Sequence, residues 1–353
     1  MIYRMQDTES QHVILDFYAY PPIGTDNWRY LWQTAQVRML EMHMLSRTTI
    51  LDMANAGTFE QAADLLAGSE YALPPAGDRF AELENILMLR RAALRELFGQ
   101  LMIDKAVVRL FRARDDFVNL RLAVRRLVTK RPIGTDYSDC GNVLPEQIRD
   151  AFEQGNYAVL PDYVQDAAER AVVAYYQNKD IRQIDSTIDN VQAAYNLKVA
   201  HKLENIFLTG LFRIQIDLTN IRTMFRLKFT QSQGEFQSDK VFLRGGYVAL
   251  ERLAHGLDVG YEALGPLFFV TPYSRVVEAG ANYLMLNKSF LKLEQQCDEH
   301  LGEFLKSTSN IVTGPQPIIA YLLMKENEIR TVRLILTARK SSLDTKLILD
   351  RIS

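Results

Sequence analysis

The chain has few of the residues that mark disulfide-stabilised or membrane-spanning proteins. Among its 353 residues only two are cysteines, Cys140 and Cys297, and they stand far apart, without a CxxC or Cys/His cluster. No segment approaches the roughly 18 consecutive apolar residues that a membrane span needs, and the N-terminus lacks the basic-then-apolar pattern of a signal peptide. We therefore expect a reduced, cytoplasmic chain without a direct membrane span.

Motifs that would predict catalysis or a bound cofactor are missing as well. The sequence has no G-x-x-x-x-G-K-[ST] phosphate loop, no G-x-G-x-x-G fingerprint and no G-x-S-x-G elbow. Its five histidines are scattered, and none forms an HExxH or i,i+4 pair that could hold zinc. The nearest approach to a carboxylate cluster is Asp115–Asp116. We predict no catalytic, cofactor or metal site.

Charge is nearly balanced overall but uneven along the chain. The formal net charge is −2, which gives no general attraction to nucleic acid. Residues 90–131 contain 12 lysines and arginines against 4 acidic residues, whereas residues 139–204 contain 6 against 11. Either neighbouring helices carry complementary solvated faces, or the basic stretch meets an acidic or amphipathic partner.

What the sequence has in abundance is helical periodicity. From Leu83 to Leu101 apolar residues recur at intervals of three and four, which lines one face of a helix. Capping patterns such as Thr58-Phe-Glu-Gln61 and prolines placed for a first turn add start signals. We predict an all-α fold. Turn-forming residues near 131–142 and 231–246 suggest an N-terminal extension (1–27) and three helical domains, 28–132, 142–230 and 245–353, the last with a C-terminal helix.

An internal repeat supports this three-part division. The pattern Phe-Arg-x-x-x-Asp-x-x-Asn-x-Arg occurs at Phe111–Arg121 and again at Phe212–Arg222, and an eroded copy contains Lys325, Glu328 and Arg330. We expect each copy to close one of the three parts. The predicted structural residues of the repeat are Arg112, Asp116, Asn119, Arg121, Arg213, Asp217, Asn220, Arg222, Glu328 and Arg330.

The residue types in the repeat predict a helix whose polar groups have fixed partners. Asp and Asn are unfavourable inside helices because their side chains compete for main-chain hydrogen bonds. Their recurrence at one spacing therefore predicts buried, bonded side chains, and the i,i+4 pairs Arg112–Asp116 and Arg213–Asp217 are placed to form ion pairs. Either these networks only fasten each bundle, or three related polar clusters line a shared surface.

Four stretches together resemble the C subunit of the V/A-type (vacuolar-type) rotary ATPases, which is the homologue of the eukaryotic d subunit. They are the opening helix 35–46, the Asp-x-x-Asn-Leu-Arg helix 116–121, the middle part with Leu144-Pro145, Leu160-Pro161 and residues 216–222, and the closing stretch 325–333, which contains Lys-Glu-x-Glu-Ile-Arg. The resemblance spans about Trp28 to Ile352, while residues 1–27 match no pattern.

The resemblance implies three similar helical bundles arranged as a pseudo-threefold funnel. It implies a non-catalytic central-stalk subunit, peripheral on the cytoplasmic face of the membrane, that couples the rotating D–F shaft to the proteolipid rotor ring for ion transport. The basic stretch is then a candidate contact with the shaft or the ring. The candidate interface residues are Arg90, Arg91, Arg125 and Arg126.

Two alternatives remain open. The first is a helical adaptor that binds another protein or RNA, although a repeat of about 100 residues exceeds the 33–47 residues of common helical solenoid units, and the aromatic residues of the basic stretch have the spacing of a core face. The second is an all-α enzyme that uses scattered carboxylates, which a deep pocket with several convergent acids would favour.

Overall fold

A computed structural model describes residues 20–75, 77–131, 136–230 and 241–352. Within those ranges the fold is all-α, as predicted, and no β-strand is present. Short 3₁₀ helices lie at Trp28–Tyr30, Tyr157–Val159 and Ser307–Asn310. The α-helices are α1 (Leu31–Glu41), α2 (Arg47–Asn55), α3 (Phe59–Asp64), α4 (Arg79–Leu101), α5 (Lys105–Thr129), α6 (Pro145–Gln154), α7 (Asp162–Asn178), α8 (Arg182–Lys202), α9 (Ile206–Phe229), α10 (Leu250–Asp258), α11 (Tyr261–Phe268), α12 (Ser274–Asn287), α13 (Leu291–Lys306), α14 (Pro315–Lys340) and α15 (Thr345–Ile352).

The helices begin and end where local chemistry favours it. Thr58 caps α3 by accepting from the Gln61 amide (3.2 Å), while the Gln61 side chain accepts from the Gly57 amide (2.9 Å). The helices α6 and α14 start at prolines, whose missing N–H is not needed in a first turn. Gly155 ends α6 in the left-handed region, with φ +63°, which suits glycine.

The chain divides into two compact units. One comprises Met1–Pro22 and Arg109–Ala281, and the other comprises Ile23–Val108 and Asn282–Ser353. The sequence-based domain boundaries stay a prediction, and those that fall within residues 1–19, 132–135 and 231–240 lie outside the described residues. The helices pack against one another in a different pattern in each unit.

In the first unit the repeat helix α5 belongs to the core of the segment that follows it. The apolar residues of α5, spaced by three and four, pack with buried residues between 143 and 191 on α6, α7 and α8. Next in order, α7 packs against α8, α8 against α9 and α9 against α10. The residues that α5 contributes to this core are Ala113, Phe117, Leu120, Ala123 and Val124.

In the second unit α14 is the central helix. It packs against α1, α2, α3, α4 and α13, so that the last copy of the repeat lies among helices from the beginning of the chain. Even polar residues of α14 are buried, including Gln316, Lys325 and Glu328. No helix of the described ranges is long and apolar enough to cross a membrane.

Candidate functional site

The first repeat helix holds a completely buried carboxylate, Asp116. Its Oδ1 accepts hydrogen bonds from the main-chain amides of Asn142 (2.8 Å) and Val143 (3.0 Å), just before α6 begins. Its Oδ2 accepts from the Asn142 side chain (3.0 Å) and from the Tyr163 hydroxyl. The buried Asp116 thus fastens the start of one helical segment to α5 through four hydrogen bonds.

One turn further along α5, Asn119 fixes the connecting loop. Its side-chain amide donates to the Ser138 carbonyl oxygen (2.7 Å), and its Oδ1 accepts from the Ser138 amide (2.8 Å). Both groups of one main-chain residue are therefore satisfied by a single side chain. Asp116 and Asn119 together order the loop that leads into α6.

The second repeat helix, α9, reproduces this arrangement. Asp217, also fully buried, accepts from the amides of Tyr247 (2.8 Å) and Val248 (3.0 Å) before α10, and from the Tyr273 hydroxyl (2.8 Å). Asn220 donates to the Leu243 carbonyl oxygen and accepts from the Leu243 amide, each at 2.8 Å. In both copies the Asp and Asn side chains are therefore buried and bonded to main-chain groups.

Two glycines allow the main chain to come this close to the carboxylates. A Cβ on Gly141 would lie 2.2 Å from Asp116 Oδ1, and a Cβ on Gly246 would lie 2.0 Å from Asp217 Oδ1. Real side chains do not tolerate such separations, so these positions require glycine because of the close approach of the buried acid. The sequence carries this signal as Gly-x-Val, 25 and 29 residues after the aspartates (141 − 116 and 246 − 217).

In the eroded third copy an acid again accepts hydrogen bonds from another segment, but it stands one helical turn later in the repeat than the aspartates. Glu328 stands at the position of Asn119 in the repeat, yet its carboxylate accepts from the Leu45 amide (2.6 Å) before α2 and from the Tyr71 hydroxyl (2.7 Å).

A buried lysine occupies the place of the missing aspartate in this copy. Lys325 is 4% exposed and forms ion pairs with Glu328 and Glu70, and its Nζ lies 5.1 Å from the centre of the Tyr71 ring. The sequence indicates a worn repeat at this point. The structure instead contains a different cluster. The carboxylates of Glu328 and Glu70 and the ring face of Tyr71 surround the buried ammonium group of Lys325.

Three tyrosine donors were not foreseen from the sequence. Tyr71, Tyr163 and Tyr273 each donate a hydroxyl hydrogen bond to the acid of their cluster. Burial raises the pKa of all three hydroxyls, so each remains a protonated donor. Asp116, Asp217 and Glu328 therefore each accept hydrogen bonds from within the protein, an arrangement that fastens helices to neighbouring segments.

The arginines of the repeat do not form the predicted pairs. Arg112 is exposed, and among the described residues no ion pair joins it to Asp116. Arg213 donates to the Gly246 carbonyl oxygen (3.0 Å) and stacks on Tyr247 instead. The aspartates instead accept hydrogen bonds from main-chain amides. Arg222 is half-buried on α9, and Arg330 is exposed on α14.

Three arginines near the end of the basic stretch form ion pairs within the first unit. Arg121 pairs with Asp185 (3.3 Å) and Asp189, and Arg125 pairs with Asp185, which joins the basic face of α5 to the acidic face of α8. Arg126 pairs with Asp136 and lies over the Tyr137 ring. The α5–α8 pairs are contacts between complementary neighbouring faces, one of the two explanations that the uneven charge leaves open.

The other two candidate interface residues lie on α4 in the second unit. Arg90 donates to the Glu70 carbonyl oxygen (2.9 Å) with its side chain 43% exposed, and Arg91 is exposed. Their charges are more accessible than that of Arg126. Whether any of the four arginines contacts a partner stays a prediction.

One groove of the first unit contains two acidic side chains. It has a volume of about 1130 Å³ and runs between α7 and α8. Its acids are Asp162 and Asp166, and Asp166 is paired with Arg170 (2.7 Å). No group of three or more histidines, cysteines and acids that could hold a metal occurs in the described ranges.

The comparison with known families decides the class of protein. The profile of the ATP synthase (C/AC39) subunit family matches residues 33–351, nearly the whole chain. The chain belongs to this family. Membership agrees with the predicted structural, non-catalytic role and with an all-α fold.

Two known proteins are similar to this chain over most of their length. The C subunit of the V-type sodium ATPase of Enterococcus hirae is 23% identical over 307 residues, covering 86% of this chain and 92% of the relative. The C subunit of the A-type ATP synthase of Thermococcus onnurineus is 22% identical over 327 residues, covering 87% and 86%. The resemblance to the V/A-type C subunit is thus confirmed at the level of the family.

The glycine at the second cluster gives a first testable prediction for this protein. Gly246→Ala is expected to lower the free energy of unfolding by about 1–3 kcal/mol, because the new Cβ overlaps the buried Asp217 carboxylate. Gly99→Ala in α4 is the matched control, since nothing lies within 4 Å of its Cβ and alanine favours a helix. Urea unfolding followed by circular dichroism would measure both. Equal effects would contradict the close-approach argument.

Asp217 gives a second prediction, on pH. Burial raises the pKa of Asp217 to about 6 against an ordinary 3.8, despite its hydrogen bonds to the amides of Val248 and Tyr247. The folded state therefore binds this proton more tightly than the unfolded state does. Protonation of Asp217 stabilises the fold fully below about pH 4, and this stabilisation is lost as pH rises through about 6. The shift corresponds to about 3 kcal/mol.

The measurement compares two pH profiles of unfolding free energy. Relative to Asp217→Asn, the native protein is expected to lose stability between pH 4 and pH 6. Taking the difference removes the contributions of all other titrating groups. A difference that stays constant with pH would show that burial does not perturb this carboxyl.

Proposed function

We propose that this protein is the central-stalk socket of a V/A-type ATPase or synthase, which couples the D–F shaft to the membrane rotor ring. The observation that carries the proposal is the family match over residues 33–351, together with two relatives that are named as C subunits of such enzymes. In this proposal the protein is a peripheral component at the cytoplasmic face of the membrane. The three domains and their pseudo-threefold funnel stay predictions of the resemblance.

The internal clusters support a part that transmits torque. A coupler has to resist twisting, and each repeat helix is fastened to a following or opening segment by charge-assisted hydrogen bonds in a dry environment. Asp116 and Asp217 bind segments that begin 26 and 30 residues later (142 − 116 and 247 − 217). Glu328 binds one that lies 283 residues earlier. Such long-range links stiffen the structure where helix propensity alone would not.

Co-purification with the partner subunits tests the proposal directly. The full chain is expected to form a complex with a purified D–F pair and, separately, with the detergent-solubilised rotor ring. A helical, correctly folded chain that binds neither would overturn the socket role. Genes for the nucleotide-binding A and B subunits next to its own gene would be the corresponding genomic observation.

The four candidate arginines are expected to contribute unequally to such binding. Arg91→Glu should weaken binding to the shaft several-fold and reduce its dependence on salt, because Arg91 is exposed and its charge is available to a partner. Arg126→Glu should act mainly by breaking the internal pair with Asp136. Lys346→Glu on α15, another exposed cation, is the matched control. If Arg91→Glu and Lys346→Glu bind equally well, the basic stretch is not an interface.

A further inference from the structure

The beginning of the described chain exposes an apolar face that no cluster explains. Trp28 and the helix α1 carry large apolar side chains that point away from the core of the second unit. They include both tryptophans of the whole sequence. The exposed fractions are 68% for Trp28, 54% for Leu31, 64% for Trp32, 62% for Met39 and 76% for Met42.

These residues form one stripe rather than a scatter. Trp28, Trp32, Ala35, Met39 and Met42 follow one another at spacings of 4, 3, 4 and 3 residues, and Ala35 is exposed as well. Trp28 lies in the 3₁₀ helix that leads into α1. From Trp32 onwards, at 100° per residue, such a spacing keeps the side chains on one helix face. We call residues Trp28, Leu31, Trp32, Ala35, Met39 and Met42 the α1 stripe.

The opposite face of α1 is fixed in the second unit, so the stripe cannot simply turn inward. Thr34 and Val37 are buried, and the Thr34 hydroxyl exchanges hydrogen bonds with the main chain of Gly314 (3.3 and 3.1 Å). Arg38 donates to the carbonyl oxygens of Thr308 (2.9 Å) and Ile311 (3.1 Å). A helix anchored on one side presents its other side as a rigid surface.

The spacing of the stripe fits an α-helix as its partner. Alternation of four and three residues is the seam of a coiled coil, in which side chains of one helix insert between those of another. Tryptophan is enriched among the residues that dominate binding energy, and methionine adapts to an irregular partner surface. The α-helical part of the stripe lies on α1, whose 11 residues span about 17 Å at a rise of 1.5 Å per residue.

The charges beside the stripe indicate the partner's chemistry and argue against a lipid surface. Arg29 is exposed next to Trp28, whereas Arg38 is neutralised by Glu41 (2.8 Å). Helices that lie on membranes carry several lysines and arginines on their polar face. A single available guanidinium instead suits one acidic residue that flanks an apolar seam.

We propose that the α1 stripe is a docking surface for one α-helix of a partner protein, with a heptad-spaced apolar seam and an acidic residue opposite Arg29. The inference rests on the proposed function in one respect, because it assigns this helix to the D–F shaft. It adds a specific contact surface that none of the acid clusters provides.

Intrinsic fluorescence tests the proposal because every tryptophan of the chain lies in the stripe. The full-length protein is expected to emit as solvent-exposed tryptophan, and addition of a D–F shaft whose own tryptophans are replaced by phenylalanine should shift the emission to shorter wavelength. Trp32→Gln with Met39→Gln keeps Trp28 as the reporter. This double variant should weaken shaft binding by at least about tenfold and abolish the shift.

A matched variant controls for loss of exposed apolar surface in general. Leu286→Gln with Val312→Gln changes two exposed apolar residues of the second unit outside the stripe, and it should bind like the native protein. If the shaft binds the native protein and the stripe variant equally and without a shift, the stripe proposal is wrong while the socket role stands.

The remaining outcomes also decide between occupants. If the native protein does not bind the shaft, the socket role fails. The stripe proposal is then tested by adding a designed helical peptide with an apolar heptad seam and acidic flanks and measuring the tryptophan emission. A shift with that peptide supports a helix-docking surface, and its absence overturns it. A shift on phosphatidylcholine–phosphatidylglycerol vesicles alone would overturn the proposal and assign the stripe to a membrane. Short-wavelength emission from the free protein would overturn it as well, since the stripe would then be covered by its own chain.

Discussion

Replacing Asp217 by alanine is expected to lower the free energy of unfolding by at least about 3 kcal/mol. The substitution removes the acceptor of three donors, the half-buried amide of Tyr247, the buried amide of Val248 and the buried Tyr273 hydroxyl. Each buried donor left without a partner costs about 1–3 kcal/mol, and a well-packed site admits water poorly. The loss should therefore exceed that of an ordinary surface substitution several-fold.

Graded variants separate the hydrogen bonds of this cluster. Asp217→Asn keeps one acceptor oxygen and avoids the cost of burying a charge, so it should cost less than alanine. Asn220→Leu, which leaves the amide and carbonyl groups of Leu243 without partners, should cost about 1–3 kcal/mol. Thr219→Ala on the same helix removes only a local bond to the Gln215 carbonyl oxygen and serves as the control.

Urea unfolding would give the size of these effects, and hydrogen exchange would give their location. Faster exchange of the Tyr247 and Val248 amides in Asp217→Ala, with α5 and α6 unchanged, is the expected local signature. A destabilisation no larger than that of Thr219→Ala would contradict the assignment of Asp217 as the fastener of this segment.

The second large effect is expected at Glu328. Glu328→Ala should cost about 3–5 kcal/mol, because it removes one partner of the buried Lys325 and leaves an uncompensated share of its charge. The Leu45 amide and the Tyr71 hydroxyl lose their acceptor at the same time. Glu70, which is partly exposed, is then the remaining acid beside Lys325.

A double-mutant cycle distinguishes the buried pair from mere loss of volume. Lys325→Met combined with Glu328→Leu removes both charges and fills the space, so the double variant should be more stable than Glu328→Ala. If the double variant is as unstable as the sum of the single variants, the two side chains do not act as a pair. Faster exchange of the Leu45 amide would locate the effect at the start of α2.

Much of this protein could be predicted from local sequence. The all-α fold follows from spacings of three and four, from caps such as Thr58 and from prolines such as Pro145, because these signals act between residues within one or two helical turns. The burial of Asp116 and Asn119 could also be predicted, since such residues are costly inside helices unless they are bonded.

The partners of those side chains were decided by tertiary structure. The repeat suggested Arg112 as the partner of Asp116, four residues away, but the carboxylate instead binds amides 26 and 27 residues further on, and Tyr163. Glu328 takes over the acid's part from a different position in the repeat, with a donor 283 residues distant. Spacing within one helix carries no information on which loop packs against it.

The α1 stripe illustrates the same division. Periodicity in the sequence identifies the apolar residues of one helix, but it does not distinguish Val37 from Met39 because both are apolar. Only packing shows that Val37 is buried while Met39 stands in solvent. Thus the sequence by itself determined the helices and their buried polar side chains. The tertiary structure determined which main-chain groups those side chains bind and which apolar face remains free, because both depend on contacts between residues far apart in the chain.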